Sequence, residues 1–88
     1  MTHELKIKEC FADAKLRGDK LFEIRKNEDR GFQRGDLVKY MVLTDDGYWD
    51  ERHPLSKKIY EITYVLHFNG IEAGYVVFGE REIGEAKK

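Results

Sequence analysis

The chain has 88 residues, of which 38% are charged, yet its 16 basic and 17 acidic side chains nearly cancel. That length holds one domain with one modest core, which excludes a large buried cofactor, and the charge balance excludes wholesale attraction to nucleic acid, so that any such binding needs a local basic patch. A lone cysteine, Cys10, excludes an internal disulfide or a Cys-built zinc site, no apolar run approaches the ~18 residues of a membrane span, and "MTHELKIKE" is too polar for a signal peptide, so the chain reads as cytoplasmic.

In chain order, "HELKIK" alternates Leu5 and Ile7 with Glu4, Lys6 and Lys8, the period of a half-buried strand. "ECFADAKLRG" then shifts to helical spacing. It predicts one short helix over about residues 9 to 17, burying Cys10, Phe11, Ala14 and Leu16, turning Asp13, Lys15 and Arg17 to water, and ending at Gly18.

From Lys20 the period returns to two: Phe22 and Ile24 share one face, predicted as core, and Glu23 and Arg25 share the other. "NEDRGFQRGD" reads as an irregular connection. Within it Phe32 is placed to plug a barrel end, Gly35 to take a conformation closed to other residues, and Asp36 to accept backbone N–H groups.

"LVKYMVLT" is a strand by β-branched and aromatic content, and Asp46-Gly47 marks a tight turn after it. "ERHPLSKK" carries the only proline and reads as a loop or frayed edge. "IYEITYVLHF" is apolar on both faces, which places it centrally, with Tyr60, Ile62, Tyr64, Leu66 and Phe68 on one side. "YVVFGERE" gives a final strand after the "NGIEAG" turn, and residues 81–88 read as a loose tail. The fold class is α+β, mainly β: a single domain over residues 1–88, core about 3–80, forming a small curved antiparallel or mixed barrel of five or six strands with one short N-terminal helix.

The order of "HELKI", a helix ending in "RGDK", "FEIRKN", "FQRGDLV" and "GYVVFG" resembles the ASCH superfamily of PUA-like barrels, and within it a short branch seen in bacteria and their phages. The resemblance spans about residues 3 to 80. It implies a PUA-like β-barrel with a cleft against the early helix and a role in binding RNA or a nucleotide-like ligand. Some superfamily members are enzymes, one group hydrolysing acetylated cytidine and another cleaving RNA. In the first group a Lys in "G-x-K", a Thr three residues later and a distant Glu are catalytic. Lys20 matches that lysine, Glu23 stands at the threonine position, and no match for the distant glutamate is placed.

The residues themselves leave two readings of "GDKLFEIRK". Lys20, Arg25 and Lys26 can donate to phosphate or base oxygens while Glu23 orients them, or the run is an exposed ion-pair ladder that recognises nothing. Between residues 6 and 34 there are nine basic and six acidic side chains, an excess suited to a small anion or a short RNA segment, and equally to ordinary solubility. If the site is catalytic, Lys20 and Glu23 are its candidates, as general base or electrostatic stabiliser and as acid or base; the alternative classes are thus a small hydrolase or ribonuclease and, if Tyr48 and Trp49 form an exposed patch, a protein-interaction adaptor. Phe22, Tyr64 and Phe78 are assigned to the core. His3, His53 and His67 lie too far apart in sequence for a metal site and read as surface or strand-end residues. No cofactor is expected.

Overall fold

The computed structural model describes residues 1–27 and 30–85; Glu28, Asp29 and 86–88 lie outside the described residues. Five strands, β1 (Thr2–Lys8), β2 (Phe22–Lys26), β3 (Leu37–Leu43), β4 (Lys58–Leu66) and β5 (Tyr75–Glu85), form one sheet in the order β1-β3-β4-β5-β2. The β1–β3 pair is parallel and every other pair antiparallel. This curled sheet is a half-barrel: the edge strands β1 and β2 approach each other without pairing. The side chains of Arg25 and Arg30 reach across the gap to the β1 carbonyls of Lys6 (2.9 Å) and Glu4 (3.3 Å).

Alternation decides what each strand buries. Leu5 and Ile7 of β1, and Val38, Tyr40 and Val42 of β3, point into the concavity with Leu55, Tyr60, Ile62, Val76 and Phe78. In the sixth candidate segment, "ERHPLSKK", the proline opens a 3₁₀ turn, Pro54–Lys57, which buries Leu55 fully against the core. Gly47 has φ +86°, as the Asp-Gly turn requires, and Leu43 pairs with Trp49 across it in an isolated bridge.

Phe32 closes one end of the core as expected, its ring 4.5 Å from that of His3 and 5.2 Å from that of Phe78. Asp36 accepts the Gln33 N–H and pairs with His3 Nε2 at 2.8 Å. His3 is therefore buried rather than a surface residue. Desolvation raises the Asp36 pKa, but the contacts from His3, Gln33 and the N-terminus outweigh it and hold the carboxyl below its ordinary value.

Several sidedness assignments reverse. The helix α1 (Glu9–Leu16) buries Ala12 and Lys15, while Cys10, Phe11 and Leu16 are exposed. The small Ala12 lets the helix backbone approach the sheet, and Lys15 is drawn inward by carboxylates on β2 and β5. In β2 the face shared by Phe22 and Ile24 is the outer one, 46% and 57% exposed, because Glu23 and Arg25 take the inner face.

In β4 a bulge at Thr63 sets Ile62 opposite Glu80 but Tyr64 opposite Gly79. The extra residue shifts the phase of alternation, so Val65 turns inward and Tyr64 and Leu66 turn out. Residues 81–85, expected as part of a loose tail, continue β5 by pairing with Lys58–Glu61, which a second irregularity at Ile83 permits. Among the described residues no helix is long and apolar enough to cross a membrane.

Candidate functional site

The inward carboxylate of Glu23 is the hub of a charge cluster. Gly18 (φ +81°) ends α1, and the N–H groups of Asp19 (2.9 Å) and Lys20 (3.2 Å) fold back onto Ala14 O, so the chain enters β2 directly beneath the helix. From that turn Lys20 Nζ reaches Glu23 Oε2 and Phe22 O. Two residues beyond Glu23, on the same face, Arg25 donates Nε (3.1 Å) and Nη2 (2.8 Å) to Glu23 Oε1. The helix supplies Lys15, whose ammonium lies 2.8 Å from Glu23 Oε2 and also pairs with Glu80 of β5. Tyr40 of β3 donates its hydroxyl to Glu80, at 2.7 Å from Oε2. The Lys15 ammonium sits over the rings of Tyr40 (5.1 Å) and Tyr60 (5.7 Å).

The side chains of Lys15, Glu23 and Glu80 are only 2–3% exposed. Ions so buried persist only when paired. Each carboxylate here shares the same ammonium, and Glu23 receives two further cations. Burial pushes the Glu23 pKa up, but the hydrogen bond and charge of Lys15, with Lys20 and Arg25, more than offset this and hold the carboxyl below its usual 4.5. For Tyr40, burial and the charges of Glu80 and Glu23 push the phenol far above its ordinary range, so it remains a donor. Tyr60 is pushed up to about 12 by burial and by Glu82 and Glu80.

Three of the four sequence candidates, Lys20, Glu23 and Arg25, thus converge; Lys26 does not. It is on the outer face of β2, its Nζ 6.0 Å from the Tyr75 ring. Lys15, Glu80 and Tyr40 are the members that sequence reading missed. Glu80 was reachable, since the alternation that points Val76 and Phe78 inward also points Glu80 inward. Lys15 stands one helical turn after Ala12, but hydropathy assigns a lysine to water.

Lys20, Glu23 and Arg25 of the cluster line a cleft of about 300 Å³ between β1, the start of α1 and β2, whereas Lys15 and Glu80 line a separate hollow with Lys20 and Tyr60. Lys6, Lys8, Lys20 and Arg25 give it four cations against the single carboxylate of Glu23, and Phe11 and Phe22 stand on its walls. Both rings are about half exposed, and Lys20 Nζ lies 5.9 Å from one and 5.3 Å from the other. A second hollow of about 330 Å³ shares Lys6 and Arg25 with the first and extends it along the seam past Lys26 and Arg30. Tyr48 and Trp49, 73% and 53% exposed, lie at the far side of β3 and take no part in the cleft. Among the described residues no three His, Cys, Asp or Glu side chains come together as metal ligands would.

Residues 2–79 match the model of a family described as "Domain of unknown function (DUF3850)". No curated protein matches the chain.

Proposed function

The chain belongs to the DUF3850 family, and we propose that this domain binds a nucleotide or the backbone of a short single-stranded RNA in the seam between β1 and β2. The observation that carries the reading is the pairing of two half-exposed rings, Phe11 and Phe22, with a cationic rim whose one carboxylate is already paired with Lys15, Lys20 and Arg25. A base finds faces to stack on, and a phosphate finds Lys6, Lys8 and Lys20 without meeting uncompensated negative charge. The hollow beyond, with Lys26 and Arg30, prolongs the cationic track. Arg25 serves as a strut: held by Glu23 and by Lys6 O, it fixes the width of the seam. The RNA- or nucleotide-binding role implied by the ASCH resemblance agrees with this reading, and the reduced Cys10 suits a cytoplasmic setting.

Titration of the domain with a labelled RNA hexamer at two salt concentrations tests it. Binding that weakens as salt rises, and that Lys20→Ala and Phe11→Ala each reduce, is the expected result. Binding unchanged in both variants, or no binding by the wild type, overturns it.

One observation favours a second reading, hydrolysis of a modified nucleoside. Lys15 joins two buried carboxylates, Glu23 of the cleft and Glu80, the latter also bound by Tyr40, an enclosed acid–base set of the kind that general catalysis uses. Glu80 then fills the role of the distant glutamate, Glu23, held ionised, that of base, and Lys20 that of electrostatic stabiliser. Turnover of acetylated cytidine that Glu23→Gln abolishes supports this reading; turnover indifferent to Glu23→Gln and Glu80→Gln removes it.

A further inference from the structure

The outer face of β2, β5 and β4 is apolar where a solvated sheet face is ordinarily polar. Its register places Phe22 of β2 and Tyr64 of β4 opposite the same residue of β5, Gly79. The two aromatic residues, 46% and 67% exposed, therefore stand two strand spacings apart, about 10 Å between Cα atoms, with no β5 side chain between them. A flat ring stacked between two others needs about 7 Å between the outer pair, less than this spacing of the strands, so the register leaves width for one base. The bulge makes this slot twice over: it turns Tyr64 outward, and it sets Thr63 Oγ1 just 3.2 Å from where a Cβ on Gly79 would lie, a hydroxyl at the floor.

Charge identifies the occupant. Lys20 lies over the Phe22 ring at 5.3 Å and Lys26 over the Tyr75 ring at 6.0 Å, so cations line the β2 edge of the face. Glu61, the outward acid of β4 beyond the slot, is paired with Arg81 at 2.8 Å. The slot also continues the cleft, because Phe22 serves as a wall of both. We infer that the Phe22–Gly79–Tyr64 slot is a base-stacking subsite, and that the ligand is a single strand of RNA that leaves the seam over β2 and crosses the outer sheet face. The inference rests on the cleft reading and narrows it from nucleotide to oligonucleotide.

Affinities of the full chain for a single-stranded RNA hexamer and for a mononucleotide, measured for wild type, Tyr64→Ala and Gly79→Val, separate the two claims. The backbone of Gly79 is not in the left-handed region, but a Cβ there meets Thr63 Oγ1 at 3.2 Å, so circular dichroism checks the fold of Gly79→Val, and exposed Tyr64 gives an independent variant. The expected result is a hexamer bound more tightly than the mononucleotide, roughly tenfold weaker hexamer binding in each variant, and unchanged mononucleotide binding. Hexamer and mononucleotide binding alike, both indifferent to Tyr64→Ala, overturns the slot and leaves the cleft standing. No binding of either ligand overturns both. A sedimentation shift from dimer to monomer in Tyr64→Ala, with RNA affinity unchanged, assigns the face to a second copy of the chain and overturns the slot.

Discussion

The two sides of the half-barrel hold together by different means. Toward β1 and β3 the concavity is filled by Leu5, Ile7, Val38, Val42 and Leu55; toward β2 and β5 the inward positions include Glu23, Arg25 and Glu80, and the helix contributes a lysine. Hydrocarbon packing is non-directional and tolerates substitution by volume. An ionic cluster is directional and fails when one member is removed. The contrast shows that this small domain places its directional chemistry where its sheet fails to close, beside the open seam.

Breaking the ionic side has the largest expected effect. Lys15→Met leaves Glu23 and Glu80 buried together without their shared cation and costs about 3 to 5 kcal/mol in urea unfolding. Adding Glu80→Gln regains part of that loss, whereas the same addition to Leu55→Ala is additive to within about 0.5 kcal/mol. On the apolar side, Leu55→Ala removes a fully buried side chain and costs about 2 to 4 kcal/mol, with an unchanged denaturant slope.

Acid separates the two sides next. The Glu23 pKa is depressed on folding, so its contribution is complete above 4.5 and is lost as pH falls through the lower folded value. The urea midpoint accordingly drops between pH 5 and pH 3, and drops less in Glu23→Gln; Asp36, depressed in the same direction, accounts for part of the remainder. The smallest effect belongs to the outer face, where Ile24→Thr changes stability by no more than about 0.5 kcal/mol, as calorimetry would show.

The same contrast marks what was legible in the sequence. The apolar side was readable because its period of two follows water exclusion: Leu5, Ile7 and Phe78 point inward as the pattern requires. In β2 the grouping of residues into faces was also correct, but the assignment of faces to core and solvent was inverted. Hydropathy ranks Phe22 and Ile24 above Glu23 and Arg25, and no property of β2 alone reveals that Lys15 and Glu80 wait inside. The inversion is a tertiary fact, made by partners 8 and 57 residues away from Glu23 along the chain. Tyr64 was misplaced for a different reason, since a bulge changes the phase of a strand without altering its composition. The convergence of Lys20, Glu23 and Arg25 was legible because all three lie within one turn and one strand face; the departure of Lys26 follows from the same alternation.

The extra residue at position 63 has a hereditary consequence. Removing that one codon would return β4 to an unbroken alternation in which Ile62 and Val65 still face the interior and Tyr64 and Leu66 still face out. Related chains can thus differ by a single triplet at this point and still show the same amino acids to their surroundings, because the bulge absorbs the change in reading length.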